Sequence, residues 1–150
     1  MRFTCTTDIN APRDRVVSIF LDPKKQHFFQ DGFLSKVLLS GSTNSVGAQS
    51  KLIYKRLELI ETIQINNLPD EFQGLYEHKH TTNTMNVKFI PLSHDTTRYV
   101  SEVHYTQFNG FVIKLLVKLF PGMFKKQVQK WINQFKLYVE NESDLSKASK

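Results

Sequence analysis

The chain lacks most of the features that would fix its chemistry at a glance. It has one cysteine, Cys5, so neither an intramolecular disulfide nor a multi-cysteine metal site can form, and a reducing compartment is expected. The opening stretch MRFTCTTDINAP has no apolar signal-peptide core, which adds to an expected cytoplasmic location. No run of ~20 apolar residues is present to span a bilayer. The most apolar stretch, Phe111 to Phe124, carries Lys114 and Lys118 and is interrupted by Pro121-Gly122. Signatures of nucleophile elbows, zinc proteases, phosphate loops and dinucleotide folds are missing. GSTNSVG has two glycines but no following Lys-Ser/Thr pair, and reads as a hairpin loop. Zinc spacing, helix-turn-helix and aromatic RNA motifs are missing too, so the net charge of +6 does not point to nucleic acid.

What is present fits one domain. A chain of 150 residues with 40% hydrophobic composition can bury one core. Residues 3–9 alternate as a strand. NAPRDRVVSIFLDP then offers Asn10 as a helix cap, Pro12 for a first turn and Asp14 near the positive helix end. LDP stops that helix near Leu21, and KKQHFFQ reads as a second short helix ended by Asp31-Gly32. From Phe33 the period becomes two. Six strand candidates follow, from FLSKVLLSG to TTRYVSEVHYTQF, joined by short turns as antiparallel neighbours require. After Gly110 the chain is helical to about Glu142. One strand, two short helices, six strands and a long helix make an α+β fold.

The Phe111–Phe124 run is therefore read as the first section of the last helix. Val112, Leu115, Leu116, Leu119 and Phe120 share one side, with Lys114 and Lys118 on the other. Beyond the break, Phe124, Val128, Trp131, Phe135 and Tyr138 form a second stripe. In a continuous helix the two stripes would be rotated by roughly a third of a turn at ~100° per residue. A kink at Pro121-Gly122 lets both face one sheet. The first half then acts as a movable cover, or both halves are plain core helix.

The joints of this arrangement resemble the START-like (SRPBCC) superfamily, which includes polyketide cyclases and lipid-transfer domains. The residues that carry the resemblance are INAPRDRVVSIFLDP, ETIQINNLPDEF and FNGFVIKLLVKLFPGMFKKQVQKWINQFKLYVE. The resemblance implies a helix-grip fold: a curved seven-stranded antiparallel sheet wrapped around a long C-terminal helix, with two short helices after strand one. Residues 1–142 would form a single START-like ligand-binding domain, and 143–150 a disordered tail. It further implies a cavity between sheet and helix for a small hydrophobic molecule such as a lipid or polyketide. No universal catalytic motif accompanies it, so a binder is expected before an enzyme, with no cofactor and no metal.

Strand parity supplies site candidates. In LELIETIQI, Glu61 is the only carboxylate on the face of Leu57, Leu59, Ile63 and Ile65. It can orient a ligand, serve as a general acid or base in a cyclase or dehydratase, or pair structurally. In FQGLYEHKH, Tyr76 and His78 share a face with Phe72, Gly74 and His80. Two histidines at that spacing suit a hydrogen-bonding role at a cavity mouth better than a metal. Met85, Val87 and Phe89 read equally as lining or core. Tyr105 lies on the tyrosine face of the last strand, and Tyr54 offers a further polar handle. Leu116, Phe120 and Phe124 complete the expected lining from the helix. The lysines of the last helix form a solvated face or, as the sharper alternative, a contact with an anionic membrane or a protein partner. The sequence does not set the oligomeric state.

Overall fold

The computed structural model describes residues 1–148. Seven strands, β1 (Arg2–Ile9), β2 (Phe33–Ser40), β3 (Gln49–Tyr54), β4 (Glu58–Asn67), β5 (Glu71–Glu77), β6 (Thr81–Ser93) and β7 (Thr96–Phe108), form one antiparallel sheet. Their order is β1-β7-β6-β5-β4-β3-β2. Consecutive strands pair by short turns, except that β1 crosses the sheet to sit beside β7. Helix α1 (Arg13–Phe20) and a 3₁₀ turn (Gln26–Phe28) fill the β1–β2 connection, and α2 (Phe111–Leu119) and α3 (Met123–Ala148) follow the last strand. The curved sheet and long last helix make the α+β helix-grip fold expected from the sequence.

Alternation builds the inner layer. Cys5 and Ile9 of β1, Ile63 of β4, Phe72 of β5, Val87 and Phe89 of β6, and Tyr99 and Val103 of β7 are all buried against one core. Helix α3 supplies the facing stripe, Val128, Ile132, Phe135 and Val139, at helical spacing. Phe124, Trp131 and Tyr138 flank that stripe half-buried. Helix α1 inserts Val16 and Ile19. Phe20 then meets Phe72, Phe89, Tyr99 and Phe135 edge-on, with centroids 5.3 to 6.4 Å apart, a favourable aromatic geometry. The buried Thr97 hydroxyl donates to Ala11 O at 2.8 Å, tying the start of α1 to β7.

Three local expectations are corrected. Asn10 does not cap α1: the N-cap is Pro12, and the Asn10 N–H donates to Glu140 Oε2 at 2.8 Å, linking the β1 end to α3. KKQHFFQ is a single 3₁₀ turn rather than a helix, because Asp22 turns the chain first, accepting from the Lys24 N–H on its side chain and the Lys25 N–H on its carbonyl. The last helix runs to Ala148, past Glu142 where the tail was expected to begin; residues 149 and 150 lie outside the described residues. The break at Pro121-Gly122 is present as read. Phe120, directly before the proline, leaves helical dihedrals at φ −130° and ψ 64°.

Candidate functional site

A cavity of about 320 Å³ lies between the sheet and α3, within the range that holds a small organic molecule. Its walls are mainly aromatic and aliphatic. Phe20, Phe29 and Leu21 come from the helical connection, Leu52, Leu59, Phe72 and Met85 from the sheet, and Phe124, Val128, Trp131 and Phe135 from α3.

A polar belt crosses the sheet wall of this cavity, and strand register builds it. Tyr105 of β7 stands opposite Asn83 of β6, Asn83 opposite Tyr76 of β5, Tyr76 opposite Glu61 of β4, and Glu61 opposite Ser50 of β3. Directly opposed residues project to the same face, so five strands contribute one row, of which all but Ser50 line the cavity. Lys36 of β2 completes it, with Nζ 2.7 Å from Glu61 Oε1. An unpaired carboxylate in such a site would be costly, and the ammonium offsets that cost. Lys36 and Glu61 both line the cavity, so the ion pair borders the space a guest would occupy. Burial, then the neighbouring Glu61 charge, hold the Tyr76 hydroxyl well above its ordinary pKa, so it is a neutral donor at physiological pH. Burial and Glu61 act in the same direction on Tyr54. Burial alone pushes Tyr105 up to about 12.

Gly74 is required by Tyr76. A Cβ at position 74 would lie 2.6 Å from the Tyr76 hydroxyl oxygen and 2.8 Å from ring carbons, too close for any side chain. The missing side chain therefore lets the Tyr76 ring fold along its own strand, beside Glu61. On the α3 side, Tyr54 stacks on Trp131 with centroids 6.1 Å apart and planes within 6°. Its hydroxyl donates to Gln30 Oε1 at 2.7 Å, which also accepts from Gln26 Nε2 at 2.7 Å. Trp131 Nε1 is buried without a hydrogen-bond partner. A buried N–H left unpaired is uncommon in a native interior, and this one belongs to a side chain that lines the cavity.

Of the residues singled out from sequence, Tyr54, Glu61, Tyr76, His78, Met85, Tyr105 and Phe124 line the cavity. Val87 and Phe89 sit in the packed core instead, two residues on from Met85 along β6, where Phe20 and Tyr99 close over the sheet. Leu116 and Phe120 are absent from the cavity wall. Helix α2 buries no residue at all. The half-buried positions are Ile113, Leu116 and Val117, while Leu115, Leu119 and Phe120 face solvent; the inner face shares only Leu116 with the expected stripe and is turned from it by roughly a quarter of a turn at ~100° per residue. Lys36, Ser50, Asn83, Gln26, Gln30 and Trp131 were not foreseen as site residues. Ser50 and Asn83 follow from cross-strand register once the turns are known. Lys36 sits on a strand whose apolar residues alternate poorly and whose pairing is shifted at both ends, so parity could not find it.

His78 and His80 pack ring against ring at 5.4 Å. The His78 Nδ1 accepts from the His80 N–H, and His80 Nδ1 faces Asn109 O at 3.2 Å. Burial and the neighbouring His80 and Lys79 charges lower the His78 pKa. Among the described residues, no group of three or more His, Cys, Asp or Glu is placed to hold a metal ion. Cys5 is buried beside Lys125 O at 3.7 Å, and burial raises its thiol pKa, as for an unreactive core cysteine. Lys130 pairs with Asp31 and Lys136 with Glu140. No helix among the described residues is long and apolar enough to cross a membrane.

At the level of sequence, no family model and no curated protein matches the chain. Solved structures do match over almost its whole length. The Zhui aromatase/cyclase from Streptomyces sp. R1128 superposes with a TM-score of 0.78 at 9% identity, covering 95% of each chain. A protein from Thermus thermophilus gives 0.76 at 16% identity, over 95% of this chain and 99% of that one. A START superfamily protein from Mycobacterium smegmatis gives 0.75 at 12% identity, over 93% and 97%. At such identities the likeness is one of architecture, and this chain is a helix-grip domain with the fold of a START superfamily protein and of an aromatase/cyclase.

Proposed function

We propose that the protein binds a small, largely apolar molecule in the cavity between the sheet and α3, and acts as its carrier or receptor. The observation that supports this most directly is the cavity itself: about 320 Å³ with predominantly aromatic and aliphatic walls, crossed by one polar belt. Apolar burial at ~25 cal/mol per Å² supplies affinity, less the cost of ordering the ligand. Glu61, Tyr76 and the Trp131 N–H select orientation by pairing with an oxygen or hydroxyl of the guest. Two of the similar structures, a START superfamily protein and an aromatase/cyclase, accord with this reading.

Trp131 is the only tryptophan in the chain and lines the cavity, so its fluorescence reports occupancy. Titration with an apolar dye such as anilinonaphthalene sulfonate is expected to give a saturable change in tryptophan emission. Met85→Trp, which fills the cavity from β6, is expected to weaken the dye about tenfold, or 1.4 kcal/mol, when dye fluorescence is read. An unsaturable response in the parent protein, or equal affinity in the filled variant, overturns the proposal.

A second reading rests on the convergence of Lys36, Glu61 and Tyr76. A carboxylate between an ammonium and a neutral phenol can relay a proton on a bound substrate, as a cyclase or dehydratase requires. For any molecule that binds in the titration and is converted, Glu61→Gln is expected to abolish conversion and leave the emission change in place. Unaltered conversion removes Glu61 from the chemistry.

A further inference from the structure

Helix α2 is an apolar helix in which the fold fully buries no residue. Gly110 precedes it at φ 104°, a left-handed conformation that suits glycine, and Pro121-Gly122 follows it. Between those two breaks it presents Phe111, Leu115 and Leu119, one helical turn apart, as a single stripe to solvent. Phe111 is 80% exposed and Leu119 59%; Val112 and Phe120 beside them are 70% and 59% exposed. Lys114 and Lys118 border the stripe, and Lys125 and Lys126 stand just past the break, all exposed.

The charge around the stripe is of one sign. Between Glu102 and Glu140 the chain contains no aspartate or glutamate. Among the described residues, Lys114, Lys118, Lys125 and Lys126 make no ion pair, whereas Lys130 and Lys136 on the same helix system are paired. A solvated helix face needs no phenylalanine or leucine, and a core helix needs no four unpaired lysines. An apolar stripe bordered by cations matches an interface with hydrocarbon below and anionic headgroups at its rim.

We infer that α2 is a membrane-docking element that seats Phe111, Leu115 and Leu119 among the acyl chains of an anionic bilayer, with Lys114, Lys118, Lys125 and Lys126 on the headgroups. The docking does not depend on what the cavity holds. It does place Phe124, a cavity-wall residue immediately beyond α2, next to the lipid surface.

The test is flotation of the full chain with vesicles of phosphatidylcholine mixed with phosphatidylserine. Binding is expected at low salt, decreasing as salt rises, and weak on vesicles of phosphatidylcholine alone. Lys114→Gln/Lys118→Gln is expected to lose about 30-fold in partitioning, from ~1 kcal/mol per lysine near the surface. Leu115→Ser/Leu119→Ser removes the inserted face and is expected to abolish flotation with an unchanged melting transition. The lysine variant keeps the test decisive if the serine variant is unstable. No binding of the parent to anionic vesicles overturns the inference. So does equal binding to both vesicle types, or a concentration-dependent dimer that the serine variant dissolves, since that would show the stripe to be covered by a second copy.

Discussion

Helices α2 and α3 stand on either side of Pro121-Gly122, and the more apolar of the two is the one left in solvent. Helix α3 carries lysines and glutamines on most of its surface, yet Phe135 and Val139 are buried almost completely. Helix α2 is nearly all apolar, yet buries nothing. Burial is therefore decided by the available partner. Helix α3 lies along β1, held by the Lys136 ammonium on Asp8 O at 2.6 Å and by Glu140 on the Asn10 N–H. Helix α2 begins where the sheet has ended, and only Ile113, Leu116 and Val117 are partly covered. Hydrophobic content predicts that a segment seeks cover, while topology decides whether the chain itself provides it.

The contrast can be tested by removing side chains from each helix. Phe135→Ala takes away a ring that meets Phe20, Phe29 and Tyr99, and is expected to cost about 3–5 kcal/mol in denaturant unfolding. A loss below about 1 kcal/mol would mean that α3 is no better packed than α2. A smaller effect is expected from alkaline pH. Tyr99 packs on Phe135 and Tyr105 on Phe124, and burial raises both hydroxyls above the ordinary value of 10.0, Tyr105 to about 12. The unfolded chain thus ionises first as pH rises. The stability these groups contribute is complete below pH ~10 and lost as pH climbs toward their folded values, at roughly 1 kcal/mol per tyrosine one unit above 10. Melting temperatures should fall in that window, with tyrosinate absorbance appearing at unfolding; early tyrosinate absorbance from the folded protein would place these rings in solvent. The smallest effect belongs to α2: Leu115→Ser/Leu119→Ser is expected to change unfolding by no more than about 0.5 kcal/mol. A loss comparable to that of Phe135→Ala would show that α2 is core.

Much of the architecture was legible in residue order. Period-two alternation and the turn residues between runs marked the strands, and the proline-glycine pair marked the helix break, because these signals are local. Glu61 and Tyr76 were legible as inward residues for the same reason. Their assembly into one belt with Ser50, Asn83 and Tyr105 was not, since that depends on register between strands. Lys36 was hidden by the irregular pairing of β2. The inner face of α2 was misplaced, apart from Leu116, because the richest apolar stripe was taken to point inward, a rule that holds only where a surface waits to receive it.

The pairing of β1 with β7 has a consequence for how the protein comes into being. Arg2 lies opposite His104 and Ile9 opposite Thr97, so the first strand of this sheet to be synthesised waits for the last. Strands β2 to β7 can zip neighbour to neighbour as they emerge, whereas β1 stays without a ladder partner until nearly the whole sheet has been made. That one long closure raises the average sequence separation of native contacts, which slows folding. Any agent that shields a nascent strand from wrong pairing would act first on RFTCTTDI.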